Sequence, residues 1–216
     1  MSKLAVFYHT RLSGGDPHID FDHASNIMAE QMHELIVSGL AAQAEKLLVG
    51  VNGGHSDFMA ASCMVPPNAE MVQHDTRFRG ELPTMFIMQQ WCRDNPDAYV
   101  FYHHTKGAIH KGEPMYDLWR QRMQDCGVTN WRRAVKDLDS GYDSVGIHWL
   151  TPEQFGAAVA APYWGGNFWW AKASFLNTLP QLRQTAVTRA EFYDAESWIG
   201  WGPKRPNVRD YYPGWP

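Results

Sequence analysis

Apolar residues fall in short runs and helical stripes separated by polar, Gly- or Pro-marked breaks. Leu4-Ala5-Val6-Phe7-Tyr8 is a compact apolar run of the length of a buried strand. A Gly- and Pro-bearing loop follows, and a helix is predicted after Asp20 or Asp22. Its stripe is Ala24, Ile27, Met28, Met32, Leu35 and Ile36, with Gly39 as the stop signal. Residues 46–51 predict a second strand, closed by Asn52-Gly53-Gly54, and residues 69–73 a short third one. Residues 81–93 predict a helix carrying Leu82, Met85, Phe86, Met88 and Trp91. Residues 98–102 are a strand running straight into His103-His104-Thr105-Lys106-Gly107. This alternation predicts an α/β domain with a mostly parallel central sheet flanked by helices.

The second half predicts a helix from Pro114 to about Gly127. Another opens at Thr129 or Asn130, with Trp131, Ala134, Val135 and Leu138 on one face. A strand over 144–149 precedes a capping box, Thr151-Pro152-Glu153-Gln154, that opens a helix to about residue 160. Residues 164–173 read as a Gly- and aromatic-rich strand. A second capping box, Thr188-Arg189-Ala190-Glu191, opens a helix through Trp198. From Gly202 onward four prolines predict a tail without regular structure, which either wraps the domain or is loose. There is no internal repeat and no interior linker, so residues 1–201 read as one domain and 202–216 as the tail.

Composition narrows the function. The 216 residues are enough for a core without disulfides or metal, and the net charge of −4 gives no global basic field for sequence-independent nucleic-acid binding. No apolar run approaches the ~20 residues of a membrane span, and the N-terminus turns polar too early for a signal peptide. Cys63, Cys92 and Cys126 form no CxxC pattern and sit among apolar residues. They read as reduced core thiols of a cytoplasmic protein. Ten tryptophans, seven of them after residue 148, are more indole than a core requires.

In open α/β sheets, ligands bind beyond the C-terminal ends of the strands. That rule selects residues 9–15, 75–81 and 103–107, where Arg11, Arg77, Arg79, Lys106 and nearby Lys111 would suit phosphate oxygens. No P-loop and no GxGxxG is present. His103 and His104 alternate across a strand end, so one can pack while the other faces the site or water. Arg77 and Arg79 could equally solvate a loop. Glu191 has a capping role, which Asp194 and Glu196 lack. Glu196 stands beside Trp198, where desolvation would suit it to act as a general base, although a solvated helix residue is the plainer reading. In Gly165-Gly166-Asn167-Phe168-Trp169-Trp170, adjacent indoles on a strand face opposite ways. One could pack while the other lines a cleft for a sugar ring, or both could pack.

The ordered motifs Tyr102-His103-His104-Thr105-Lys106-Gly107, Gly166-Asn167-Phe168-Trp169-Trp170-Ala171 and Glu196-Ser197-Trp198-Ile199-Gly200 resemble a glycosyltransferase-like family of small bacterial and viral proteins. Trp119-Arg120, Met123, Trp131, Asp143-Ser144-Val145-Gly146 and Leu179-Pro180 add to the match. With Arg79-Gly80-Glu81-Leu82-Pro83, the chain is also distantly similar to rhamnan-synthesis-type glycosyltransferases. The resemblance implies a GT-A-like fold, with a Rossmann-like nucleotide-sugar half over about 1–110 and an acceptor half over about 111–201. It implies a nucleotide-diphosphate sugar as donor and an acceptor glycan or other hydroxyl-bearing molecule. His9, Thr10 and Arg11 would lie by the nucleotide. Thr105 and Lys106 would lie by the diphosphate, with Arg79, His104 and Gly107 also among the donor-binding residues, and Gly166, Asn167, Trp169 and Trp170 would lie by the sugar and acceptor. Glu196, with Asp194 second, would be the base of a single inverting displacement.

Many GT-A enzymes hold Mn²⁺ or Mg²⁺ on an Asp-X-Asp step where this chain has His-His-Thr-Lys. Asp137-Leu138-Asp139 has that spacing but sits at a helix end, so the sequence leaves metal dependence open. Two other readings stand beside this one: a non-catalytic nucleotide- or carbohydrate-binding module, and a phage-type transferase acting on hydroxylated DNA bases, which the net charge disfavours.

Overall fold

The computed structural model describes residues 2–13, 16–74, 80–155, 161–182 and 195–213. Seven strands form one sheet in the order β3-β2-β1-β4-β8-β5-β9. The strands are β1 (Leu4–Thr10), β2 (Lys46–Asn52), β3 (Glu70–His74), β4 (Tyr99–His104), β5 (Ser144–Gly146), β8 (Trp169–Lys172) and β9 (Val208–Asp210). β6 (Trp149–Leu150) and β7 (Tyr163–Trp164) pair separately. The first four strands are mutually parallel, β8 runs antiparallel to both β4 and β5, and β9 is parallel to β5. This is the α/β architecture with a mostly parallel sheet that the hydrophobic pattern predicts.

The helices are α1 (Phe21–Val37), α2 (Leu40–Gln43), α3 (His55–Ser62), α4 (Leu82–Asp94), α5 (Pro114–Gln124), α6 (Trp131–Asp139), α7 (Pro152–Phe155) and α8 (Ala173–Leu176). The central strands are apolar on both faces because both faces are covered. On one face Val6, Tyr8 and Phe101 pack with residues of α1, α5 and α6; on the other Ala5, Phe7 and Tyr102 pack with residues of α4 and α8. α1 starts where Asp20 caps it, its carboxylate accepting the His23 N–H at 2.8 Å.

Four local departures have identifiable causes. The stretch 144–149 divides into β5 and β6 because His148 takes φ 59°, its N–H and that of Trp149 both held by the Asp210 carboxylate at 2.9 Å. The stretch 164–173 divides at Gly166 (φ 82°) and Asn167 (φ 55°) into β7 and β8, and its end turns into α8. α3 carries no clear apolar stripe and went unpredicted; only Asp57 and Ala61 of it are buried. The proline-rich tail contains β9, which adds to the sheet edge. Of the cysteines expected in the core, Cys92 and Cys126 are buried but Cys63 is exposed. No helix among the described residues is long and apolar enough to cross a membrane.

Candidate functional site

The strand order reverses between β1 and β4, the point where open α/β sheets form a crevice beyond their strand ends. His9 and His104 are register partners there. The two strand ends are laced together: the Thr105 N–H donates to the His9 carbonyl at 3.1 Å and the Arg11 N–H to Thr105 Oγ1 at 3.4 Å. Because β8 runs antiparallel to β4, its N-terminal end lies at the same edge, with Trp169 opposite Tyr102. That topology brings Gly166 and Asn167 to the site.

His9 lies on the α4 face. Its Nδ1 is 2.8 Å from Thr84 Oγ1, and His74 Nε2 reaches the same hydroxyl at 2.9 Å. Gly50 makes room for this cluster, since a Cβ there would lie 2.0 Å from the Thr84 hydroxyl. Burial holds both imidazoles below their usual range, His74 at about 4, and neighbouring His74, His104 and Arg11 add to the effect on His9. Arg11 pairs with Asp16 at 3.0 Å.

Glu81, immediately before α4, is buried and forms the centre of a network. Its Oε2 accepts from Tyr102 Oη at 2.9 Å and from Asn167 Nδ2 at 2.7 Å; its Oε1 is 3.6 Å from His104 Nδ1. His104 Nε2 is 2.9 Å from the Gly166 carbonyl. Burial pushes Glu81 up to about 7, against the pull of the two hydrogen bonds and of the Lys106 charge. Burial holds His104 down at about 4, helped by the Lys106 charge. Lys106 Nζ stands 4.6 Å from the centre of the Trp119 ring and 3.9 Å from Glu196 Oε1, and both charged side chains keep some exposure, 16% and 17%. Glu196 lies on a helical turn, residues 195–197. Burial raises its pKa, with Lys106 opposing and Glu81 adding to the rise.

His9, His104, Thr105, Lys106, Gly166, Asn167 and Glu196 are thus gathered at one sheet edge. Thr10 is buried on the opposite face, following strand alternation. Gly107 is buried, its carbonyl 3.3 Å from His23 Nε2 of α1. Arg79 and Asp194, with Arg77 and the Thr188–Glu191 capping box, lie outside the described residues.

The expectation that one of Trp169 and Trp170 lines a cleft is corrected. Both are 1% exposed, one in each core layer, because β8 is an interior strand covered on both faces. Trp170 stacks on Phe101 and donates to the Gly127 carbonyl at 2.8 Å; Trp169 stacks on Tyr102 and donates to Asn167 Oδ1 at 2.7 Å. Trp164 and Trp198 are buried too, so much of the indole excess is core.

His74 and Thr84 carry no signal in the sequence, and Tyr102 enters only as the first residue of its motif. Glu81 carried a weak signal, as the last residue of the segment after β3 and part of the Arg79-Gly80-Glu81 match.

The match to a family model over residues 7–200 spans most of the chain. The chain belongs to the family described as Domain of unknown function (DUF8361). No curated protein matches this family member. Solved structures similar to it include Rv0371c from Mycobacterium tuberculosis H37Rv, at 11% identity and TM-score 0.49, covering 100% of this chain and 91% of that one. Another is 4-diphosphocytidyl-2C-methyl-D-erythritol synthase from Anaerococcus prevotii DSM 20548, at 7% identity and TM-score 0.49, with 99% and 90% covered. A protein from Desulfovibrio desulfuricans G20, provisionally assigned as a nucleotide-diphospho-sugar transferase, has 13% identity and TM-score 0.47, with 99% and 81% covered. None of these scores reaches 0.5, so the fold of this DUF8361 chain rests on its own strand order.

No group of three or more His, Cys, Asp or Glu among the described residues is arranged to hold a metal ion. The Asp137-Leu138-Asp139 step lies far from the site. Asp139 accepts from Tyr99 Oη at 2.7 Å, and Tyr99 begins the strand that His104 ends. Asp137 accepts from Tyr211 Oη at 2.5 Å.

Proposed function

We propose that this protein is a glycosyltransferase that moves a sugar from a nucleotide-diphosphate donor to an acceptor hydroxyl with inversion. The observation that carries this reading is the Lys106–Glu196 pair, 3.9 Å apart beside the β1/β4 reversal. A cation and a part-exposed carboxylate at that point are the two charges a single displacement needs.

Glu196, held above the usual carboxylate range by burial, takes the acceptor proton. The acceptor oxygen then bonds to the anomeric carbon. The bond from that carbon to the phosphate oxygen breaks, and its electron pair leaves with the nucleoside diphosphate. Lys106 and Arg11 face the developing phosphate charge. Buried His9 and the Gly166–Asn167 turn shape the walls, while Trp169 and Trp170 support those walls from within the core.

A thermal-shift screen of nucleoside diphosphates and their sugars, with and without Mn²⁺, tests the donor site. A true ligand at 100 times its dissociation constant should add ~2.7 kcal/mol to apparent stability. Glu196→Gln should keep donor binding and lose transfer on the order of 100-fold or more. Unchanged transfer would remove Glu196 from the mechanism. Donor binding without turnover in the wild type would favour a binding module instead.

A further inference from the structure

The Glu81–His104 contact poses a proton-counting problem. The Gly166 carbonyl can only accept, so His104 Nε2, 2.9 Å away, carries a proton. In the neutral ring Nδ1 is then a lone pair, and it faces Glu81 Oε1 at 3.6 Å. The other Glu81 oxygen is already filled by two donors, Tyr102 Oη and Asn167 Nδ2. Beside a neutral His104, an ionised Glu81 would set lone pair against lone pair in a site 6% exposed. One proton between Oε1 and Nδ1 turns that repulsion into attraction, and a small closing of the 3.6 Å gap completes a hydrogen bond.

We infer that Glu81 is a positioning residue that works in its protonated form, its Oε1–H donating to His104 Nδ1 so that one proton latches the Gly166–Asn167 turn onto β4 beside Lys106 and Glu196. The facing groups agree with this placement. From β4 come Tyr102 and His104, from the segment after it Lys106, from the turn before β8 Asn167, from the 195–197 turn Glu196, and from β1 His9 beside His104. Burial favours the neutral form of both Glu81 and His104, which puts the proton on the carboxyl. The latch restrains two left-handed residues, Gly166 at φ 82° and Asn167 at φ 55°, through His104 and through the Asn167 amide. It also removes a like charge near Glu196. On the glycosyltransferase reading, which this clause rests on, Glu196 is then the carboxylate that ionises against Lys106.

Glu81→Gln is the decisive variant. Its amide N–H replaces the carboxyl proton toward His104, and its carbonyl still accepts from Tyr102 and Asn167. A native pKa near 7 lies above the unfolded value of 4.5, so the wild type loses stability from this group as pH rises between the two. The variant has no such loss. Its melting temperature minus that of the wild type should therefore increase by several degrees from pH 4.5 to 7 and level off above. Nitrogen-15 spectra at pH 6 should show His104 neutral with its proton on Nε2. A melting-temperature gap that does not change with pH, or a His104 protonated on Nδ1, would overturn the inference. If the variant fails to fold, the carbon-13 shift of the Glu81 carboxyl in the wild type decides: protonated at pH 6 supports the latch, ionised refutes it. None of these readouts depends on sugar transfer, so failure of the proposed activity would leave the latch standing, and the reverse.

Discussion

At the scale of single residues, the strongest constraints are absences of side chain and placements of protons. Gly50 is a plain strand residue in the sequence, yet a Cβ on it would lie 2.0 Å from Thr84 Oγ1 and 2.4 Å from His74 Nε2. Gly50→Ala should therefore break the His9–Thr84–His74 cluster and cost ~1–3 kcal/mol in urea unfolding. A neutral result would mean that α4 can move away freely. His104 and Lys106 were legible because they end an apolar run in a polar motif. Glu81 was not, because its importance lies in three partners 21 to 86 positions away. For a related reason the sequence leaves the two adjacent tryptophans undecided between cleft and core. Alternation told that they face opposite ways, but only the neighbours of β8 decide that both faces are closed.

At the scale of elements, β1, β2, β4, α1 and α4 were readable because burial on two faces or one leaves a direct pattern in the sequence. The failures sit where an element is made by a distant partner. β9 exists because β5 offers an open edge, and Val208–Asp210 pairs along it despite the prolines on either side. Its Asp210 carboxylate holds the His148 and Trp149 N–H groups and that of Tyr212 at 3.0 Å. Asp210→Ala should leave the left-handed His148 corner unsupported and destabilise by ~1–3 kcal/mol. Hydrogen exchange should show faster opening of β6 and β9 with β1 and β4 unaffected. Uniform loosening would contradict a local cap.

At the scale of the molecule, neutral imidazoles run through the sheet. His9, His74, His103 and His104 are all held below their usual range by burial. Depressed native values mean that the unfolded chain binds more protons as pH falls below ~6.5, so stability should fall steadily from there to about 4, by a few kcal/mol in all. A melting temperature constant over that window would show the imidazoles to be solvated. Glu81, titrating the other way, offsets part of this slope. What the sequence determined by itself was the class: apolar runs buried on both faces and helical stripes between them admit little but a layered α/β sheet, and polar segments after β1 and β4 mark where ligands can reach it. What the tertiary structure decided was which of those residues meet. The reversal of strand order at β1 and β4, and the antiparallel return of β8, carry Glu81, His104, Asn167, Lys106 and Glu196 to one edge. Local pattern fixes which way a side chain faces, whereas charge state and contact depend on what the rest of the chain packs against that face.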